Sequence, residues 1–251
     1  MAKIIDCFTF YNELKILDLR LAELKDVVDH FILVEATKTH SGKSKKLYFD
    51  EIKSKYKDYP IIHVIVDDMS DRTCSWGREQ HQRRSIIRGL TNLVLDDQDI
   101  LVLTDADEIP DPETINYIAQ QGLVDFAALE MDHYYYNLRC KWQDKWTPHP
   151  KIFNYSTFKK IGDFNTMRCH PYKICIPKGG WHFSYFGDVD FIVNKIESFA
   201  HQELNNEQYK NREKIQKHID EKTSYHDANS KSIDTDPYQN NYLPKNWKML
   251  I

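Results

Sequence analysis

Apolar and polar residues fall along this chain in blocks that switch period. Ile4-Ile5 opens a short strand. Leu14, Leu17, Leu21 and Leu24 then recur at three- and four-residue intervals, the apolar stripe of an amphipathic helix. Phe31-Ile32-Leu33-Val34 is a short, wholly apolar run ending at Glu35, and Ile61-Ile62-His63-Val64-Ile65-Val66 is a second, closed by Asp67-Asp68. From Trp76 to about Leu95 the pattern is helical again, with Ile86, Ile87, Leu90 and Leu93-Val94 on one side. Ile100-Leu101-Val102-Leu103 follows, apolar on both faces. Strands that are apolar throughout and alternate with helices predict a mostly parallel sheet flanked by helices, an α/β fold. Ligands on such a sheet sit at the carboxyl ends of the strands.

Beyond Pro110 the order changes. A helix is predicted from Pro112 to Gln121 and a strand from Val124 to Glu130, followed by an aromatic, loop-rich stretch from His133 to Gly180. A helix from Phe191 to Ala200, a polar helical segment from Asn206 to Lys222 and a tail from Asp234 to Ile251 complete the chain. No repeat or linker divides it, so 1–251 reads as one domain with two halves, 1–110 and 111–251.

The 34 basic and 38 acidic side chains leave a net charge of −4, which argues against general nucleic-acid binding. No stretch reaches the roughly 18–20 apolar residues of a membrane span. The opening MAKIIDCFTFYNE is broken by Asp6 and Asn12, unlike a signal peptide, so a soluble, cytoplasmic protein is expected. Five scattered cysteines without a Cys-x-x-Cys pair suit reduced thiols, and the spacing of Cys140, Cys169 and Cys175 around His170 is not that of a usual zinc site.

Asp-x-Asp occurs at 97/99, 105/107, 188/190 and 234/236, and position separates the four. Asp105-Ala106-Asp107 alone ends an apolar strand, where two carboxylates suit Mg²⁺ or Mn²⁺ held against a diphosphate. The bland alternative is an acidic strand end, with Asp111 capping the next helix. Arg78, Arg83, Arg84 and Arg88 lie on the preceding helix and either face a phosphate or form a solvated face, with Glu79 paired to Arg83. Gly179-Gly180-Trp181-His182 joins a flexible backbone to a ring pair; His182 is a phosphate or metal contact or else a core histidine. Asp188 and Asp190 are candidate general bases, and either is also placed to cap the helix that starts near Phe191. Tyr134, Tyr135, Trp142 and Trp146 either pack the core or stack on sugars. Walker A, G-x-G-x-x-G and G-x-S-x-G motifs are missing, which counts against P-loop, dinucleotide and serine-hydrolase chemistry.

Together the strings FYNELKILDLRLAEL, VVDHFILVEATKTHSGKSKKLYF, DILVLTDADEIP, GGWHFSYFG, KIESFAHQE and LPKN resemble glycosyltransferase family 17, the β-1,4-mannosyl-glycoprotein 4-β-N-acetylglucosaminyltransferases. The resemblance implies a GT-A-like single-sheet fold and a metal-dependent, inverting transferase using Mn²⁺ or Mg²⁺ and a UDP-sugar, with 1–110 binding the nucleotide-sugar and 111–251 facing a glycan or glycoprotein acceptor. It implies that Asp105 and Asp107 hold metal and diphosphate, joined by His182. Phe8, Thr9, Phe10 and Glu35 fall where relatives hold the uridine, with Arg78, Arg83, Arg84 and Trp181 completing the donor site. Asp190 is the preferred base and Asp188 the second, while the aromatics of 133–146 line an acceptor groove. The alternatives are a nucleotidyltransferase acting on sugar phosphates, disfavoured by the glycine-free FTFYNEL, and a non-catalytic carbohydrate-binding protein.

Overall fold

The computed structural model describes residues 2–122, 125–224 and 232–251. Its first half builds the parallel part of the sheet: β1 (Ile4–Phe10), α1 (Leu14–Leu24), β2 (His30–Ala36), α2 (Tyr48–Ile52), β3 (Ile61–Val66), α3 (Ser75–Arg84), α4 (Ile86–Leu90) and β4 (Ile100–Asp105). β5 (Glu108–Pro110) and α5 (Pro112–Gln121) lead into β6 (Phe126–Tyr135), β7 (Cys140–Lys141) and β8 (Lys151–Asn154). Then come α6 (Tyr155–Ile161), α7 (Phe164–Cys169), β9 (Cys175–Ser184), α8 (Val189–Ser198), α9 (Glu207–Lys210), α10 (Arg212–Glu221) and β10 (Ile233–Asp234).

These strands form one ten-stranded sheet in the order β10-β7-β6-β8-β4-β1-β2-β3, with β9 joining β6 to β5. The α/β reading holds. β3, β2, β1 and β4 run parallel, as their two-faced apolar runs demand, and β8 then adds antiparallel to β4, so the whole sheet is mixed. One apolar core lies on the α1 side, with Leu17, Leu21 and Leu24 against Phe8, Phe31 and Val102. The other lies under α4 and α7, with Ile86 and Leu90 against Ile5, Ile32 and Leu101.

Three expectations are corrected. The helix from Trp76 to Leu95 is two helices that end at Leu90, because Ser85 turns its hydroxyl back onto the His81 carbonyl at 2.9 Å and breaks the run. The second-half strand, expected to end at Glu130, runs on from Phe126 to Tyr135, and Val124 lies outside the described residues. The stretch 133–180 is not mainly loop: it holds β8, α6, α7 and most of β9. Its aromatic composition hid short strands with one face on the core.

One buried ion pair ties the fold to the site. Asp6, in the middle of β1, receives Arg20 Nε and Nη2 at 2.7 and 2.6 Å, and neither side chain is exposed. The same guanidinium donates Nη1 to the carbonyls of Asp105 and Glu108 at 3.0 and 2.9 Å. α1 thus clamps the turn between β4 and β5, the turn that carries the acidic motif. All five cysteines are free, and no helix among the described residues is long and apolar enough to cross a membrane.

Candidate active site

β4 delivers Asp105 to the carboxyl edge of the sheet, and the chain reverses through Ala106-Asp107 into β5. The reversal is held by Glu108 Oε2, which accepts the Asp105 backbone N–H at 2.8 Å. β5 pairs antiparallel with β9 in the register Glu108–His182, Ile109–Trp181 and Pro110–Gly180. Strand pairing therefore brings the acidic motif and the Gly-Gly-Trp-His motif together, and Phe183 N–H donates to the Asp107 carbonyl at 2.8 Å. Gly180 is required by the close approach: at φ +140° its missing Cβ would stand 2.1 Å from the Ile109 carbonyl oxygen.

Asp105 and Asp107 border a cavity of about 530 Å³. Thr9, Phe10, Tyr11 and Glu13 enter it from the end of β1, and Lys38, Thr39 and His40 from the loop after β2. Trp76, Glu79, Gln82 and Arg83 come from α3, and Asn165, Arg168 and Cys169 from α7. Lys195 and Ser198 of α8, the following Phe199, Ala200 and His201, and Trp146 with His149 close it.

Cations bind both carboxylates. Arg168 donates to Asp105 Oδ2 at 2.6 Å and grips Glu108 with both nitrogens, at 2.5 and 2.8 Å. Arg83 lies 3.4 Å from Asp105 Oδ1 and is itself braced by Glu79 at 2.7 Å and Asn165 at 3.0 Å. Burial alone would raise the Asp105 carboxyl, but Arg168 and Arg83 outweigh it and hold the group well below the carboxylate range. Asp107 follows the same logic: burial opposes ionisation, and Lys195, 2.7 Å from Oδ2, wins. Burial raises the Glu13 carboxyl, with Lys195 as the opposing influence, and among the described residues no cation reaches salt-bridge distance of it.

His182 stands beside Asp107, its Nε2 3.8 Å from Oδ1, too far for a hydrogen bond. Burial lowers its pKa and favours the neutral ring, and among the described residues its Nδ1 has no hydrogen-bond partner. The ring stacks on His133 of β6 with centroids 4.5 Å apart and planes at 9°, and lies 4.6 Å from the Trp146 ring. An oxygen and a neutral imidazole nitrogen at this separation fall within the span of two ligands each about 2.1 Å from one divalent ion. Among the described residues no three His, Cys, Asp or Glu side chains converge into a closed metal cage.

The profile of glycosyltransferase family 17 matches residues 1–228. The chain belongs to that family. The β-1,4-mannosyl-glycoprotein 4-β-N-acetylglucosaminyltransferases of Rattus norvegicus and Homo sapiens are each 30% identical to it over 118 residues, 43% of this chain and 22% of theirs. The chain thus aligns with about a fifth of the length of these curated relatives. Among solved structures, glucosyl-3-phosphoglycerate synthase from Mycobacterium tuberculosis, crystallised with Mn²⁺, UDP and phosphoglyceric acid, is similar at a TM-score of 0.39 and 13% identity, covering 75% of this chain and 72% of that one.

Of the residues singled out in this family 17 sequence, Thr9, Phe10, Arg83, Asp105, Asp107 and Trp146 share the cavity wall, with His182 adjoining Asp107. Several others lie elsewhere. Phe8 is core, beneath the Arg20 guanidinium. Glu35 is wholly buried and pins the next loop, taking Lys45 Nζ and the Tyr48 and Phe49 N–H groups. Arg78 donates to the carbonyls of His40 and Thr73, shaping the loop that carries Thr39 and His40. Arg84 points outward to Asp163 at 2.6 Å.

Alternation along β9 and β6 separates the rest. Trp181 and Tyr134 fall on the face opposite His182, where Trp181 Nε1 donates to the Tyr242 carbonyl and the Tyr134 hydroxyl accepts from Asn240. Tyr135 and Trp142 stay on the His182 face, their rings 5.0 Å apart and both near His133.

The structure places the two candidate bases away from the cavity. Asp188 is the N-cap of α8 and accepts the Phe191 N–H at 2.8 Å, so its carboxylate is committed to the helix. Asp190 projects from the first turn of that helix, three-quarters exposed, into an ion pair with Arg212 of α10. Neither borders the cavity. The cavity instead contains Glu13, Arg168 and Lys195. Glu13 and Lys195 sit inside FYNEL and KIESFAHQE, two of the strings that carry the family resemblance. Arg168 lies in the stretch that carries none of those strings, and only the packing of α7 reveals it.

Proposed function

We propose that the chain is an inverting, metal-dependent glycosyltransferase that moves a sugar, N-acetylglucosamine by likeness to its named relatives, from a UDP-sugar to a hydroxyl of a glycan acceptor. One observation carries the reading: Asp105 ends a buried strand and Asp107 follows in its turn, at a cavity wall that also holds Arg83, Arg168 and Lys195. Such a wall suits an anionic donor whose diphosphate must be neutralised as it leaves.

Asp107 and His182 would hold Mn²⁺ or Mg²⁺, leaving the remaining positions to water and phosphate oxygens. When bound, the ion supplies a Lewis acid for the departing diphosphate. Arg168 and Glu108 keep Asp105 in one rotamer, so the site needs little reorganisation at the moment of reaction. Tyr11 and Glu13, at the end of β1, offer a ring and a carboxylate to the nucleoside and its hydroxyls. The acceptor oxygen forms its bond to the sugar's anomeric carbon as the bond to the β-phosphate oxygen breaks. The electron pair departs with UDP, and the acceptor proton passes to a general base. Tyr135, Trp142 and Trp146 form an aromatic wall beside His182 on which acceptor sugars would stack.

Melting curves with UDP, UDP-N-acetylglucosamine, UDP-glucose, UDP-galactose and GDP-mannose, each with and without Mn²⁺, test this. A Mn²⁺-dependent rise with UDP-sugars that is lost in Asp107→Asn is expected, since a ligand that binds only the native state raises the melting temperature. No rise with any nucleotide would overturn the reading in favour of a glycan-binding protein. Release of pyrophosphate in place of UDP would make the chain a nucleotidyltransferase.

A further inference from the structure

Lys195 has no place in the donor site as the sequence describes it, yet the fold builds a seat for it. Its Nζ lies 2.7 Å from Asp107 Oδ2 and 5.2 Å from the centroid of the Tyr185 ring. Tyr185 adopts φ +51°, a left-handed conformation that costs a bulky residue energy, and Tyr136 beside it adopts φ +62°. Backbone strain is thus spent where an aromatic face meets the ammonium.

The seat conflicts with the ion-binding role of Asp107. One carboxylate oxygen is already engaged by a cation, and the other faces His182. A divalent ion arriving on Asp107 sets two positive centres against one carboxylate, and their repulsion weakens the lysine's hold. A displaced ammonium keeps Glu13 as a single-charged neighbour in the cavity. The diphosphate of a nucleotide-sugar supplies a more highly charged partner within the same cavity, whose wall includes Lys195.

We propose that Lys195 is a resident counter-ion of Asp107 that passes to the donor's diphosphate when a divalent ion binds. The inference rests on the donor reading above. It assigns the lysine opposite effects on two ligands: Lys195 weakens metal binding by competing for Asp107, and strengthens nucleotide binding by pairing with phosphate. It also makes the two binding events interdependent, because the nucleotide gives the displaced lysine a partner.

The test measures Mn²⁺ binding by the electron paramagnetic resonance of the free ion, and UDP binding by calorimetry at saturating Mn²⁺, in the wild type, Lys195→Met and Lys195→Arg. Lys195→Met should bind Mn²⁺ alone about tenfold more tightly and UDP about tenfold more weakly. Lys195→Arg keeps the charge and should stay near the wild type on both scales. A damaged site would lose both affinities together, so opposite signs separate the handover from a merely structural lysine. Mn²⁺ affinity in Lys195→Met that is unchanged or weaker, while wild-type UDP binding still needs Mn²⁺, would overturn the handover and leave the donor reading standing. UDP binding that ignores Mn²⁺, with no Mn²⁺ bound by the wild type or Lys195→Met, would overturn the handover together with metal dependence.

Discussion

Glu108 Oε1 accepts the indole N–H of Trp146 at 2.7 Å, joining the third acid of the motif to an aromatic wall that arrives 38 residues later. The same carboxylate takes both Arg168 nitrogens and the Asp105 N–H, so all of its acceptor capacity is used. Glu108 is the joint between the donor edge of the cavity and its aromatic side. Burial alone would raise its pKa, but Arg168 holds it below the usual value.

Replacing Glu108 by Gln leaves Arg168 half-paired in a buried site and loosens Trp146. The variant should lose about 3 kcal/mol of stability, measured by urea denaturation, because removing one partner of a buried ion pair strands the other. Stability within 0.5 kcal/mol of the wild type, a margin typical of surface substitutions, would show that the joint carries no strain.

Gly180→Ala should be at least as damaging, by about 3 kcal/mol or more, since its Cβ would fall on the Ile109 carbonyl at a backbone angle that alanine avoids. The clash pushes β5 from β9, so Mn²⁺ affinity should fall along with the melting temperature. An alanine protein with wild-type melting would contradict the close approach of these strands.

Glu13→Gln removes a carboxylate that lines the cavity just after β1. About tenfold weaker UDP binding is expected, near the value of one hydrogen bond to a charged group. Unchanged affinity with lost turnover would instead make Glu13 the proton acceptor.

Asp190→Asn should release UDP from UDP-N-acetylglucosamine at the wild-type rate, because the side chain serves only an exposed ion pair, worth less than about 1 kcal/mol. Loss of turnover without loss of folding would return Asp190 to the reaction.

His133 predicts the acid limit of stability. Burial, aided by its neighbour His182, pushes its pKa down to about 2 from an ordinary 6.5. A depressed folded-state pKa contributes stability that is complete above the unfolded value. That stability is lost as pH falls, because only the unfolded chain takes up the proton. From pH 6.5 down to about 5 the loss from this ring should reach about 2 kcal/mol, with His182 adding in the same direction. His133→Phe should flatten that slope; an equal slope in both proteins would show that the ring titrates freely in the fold.

Much of this protein is legible in the order of its residues. Two-faced apolar runs such as Phe31–Val34 and Ile100–Leu103 call for the interior of a sheet covered on both faces. A carboxylate pair directly after such a run must emerge at the ligand edge, so Asp105 and Asp107 were readable from local periodicity. Contacts between distant segments were not. Asp188 and Asp190 are two residues apart and chemically alike, yet helix geometry turns one into a cap and the other toward solvent. Tyr134 and Tyr135 are adjacent, and strand alternation alone sends them to opposite faces. Arg168 and Lys195 reach the motif from helices 63 and 88 residues beyond their partner carboxylates. Periodicity encodes what each segment must bury. Which charges finally meet is decided by how the helices dock on the sheet, and no local spacing records that.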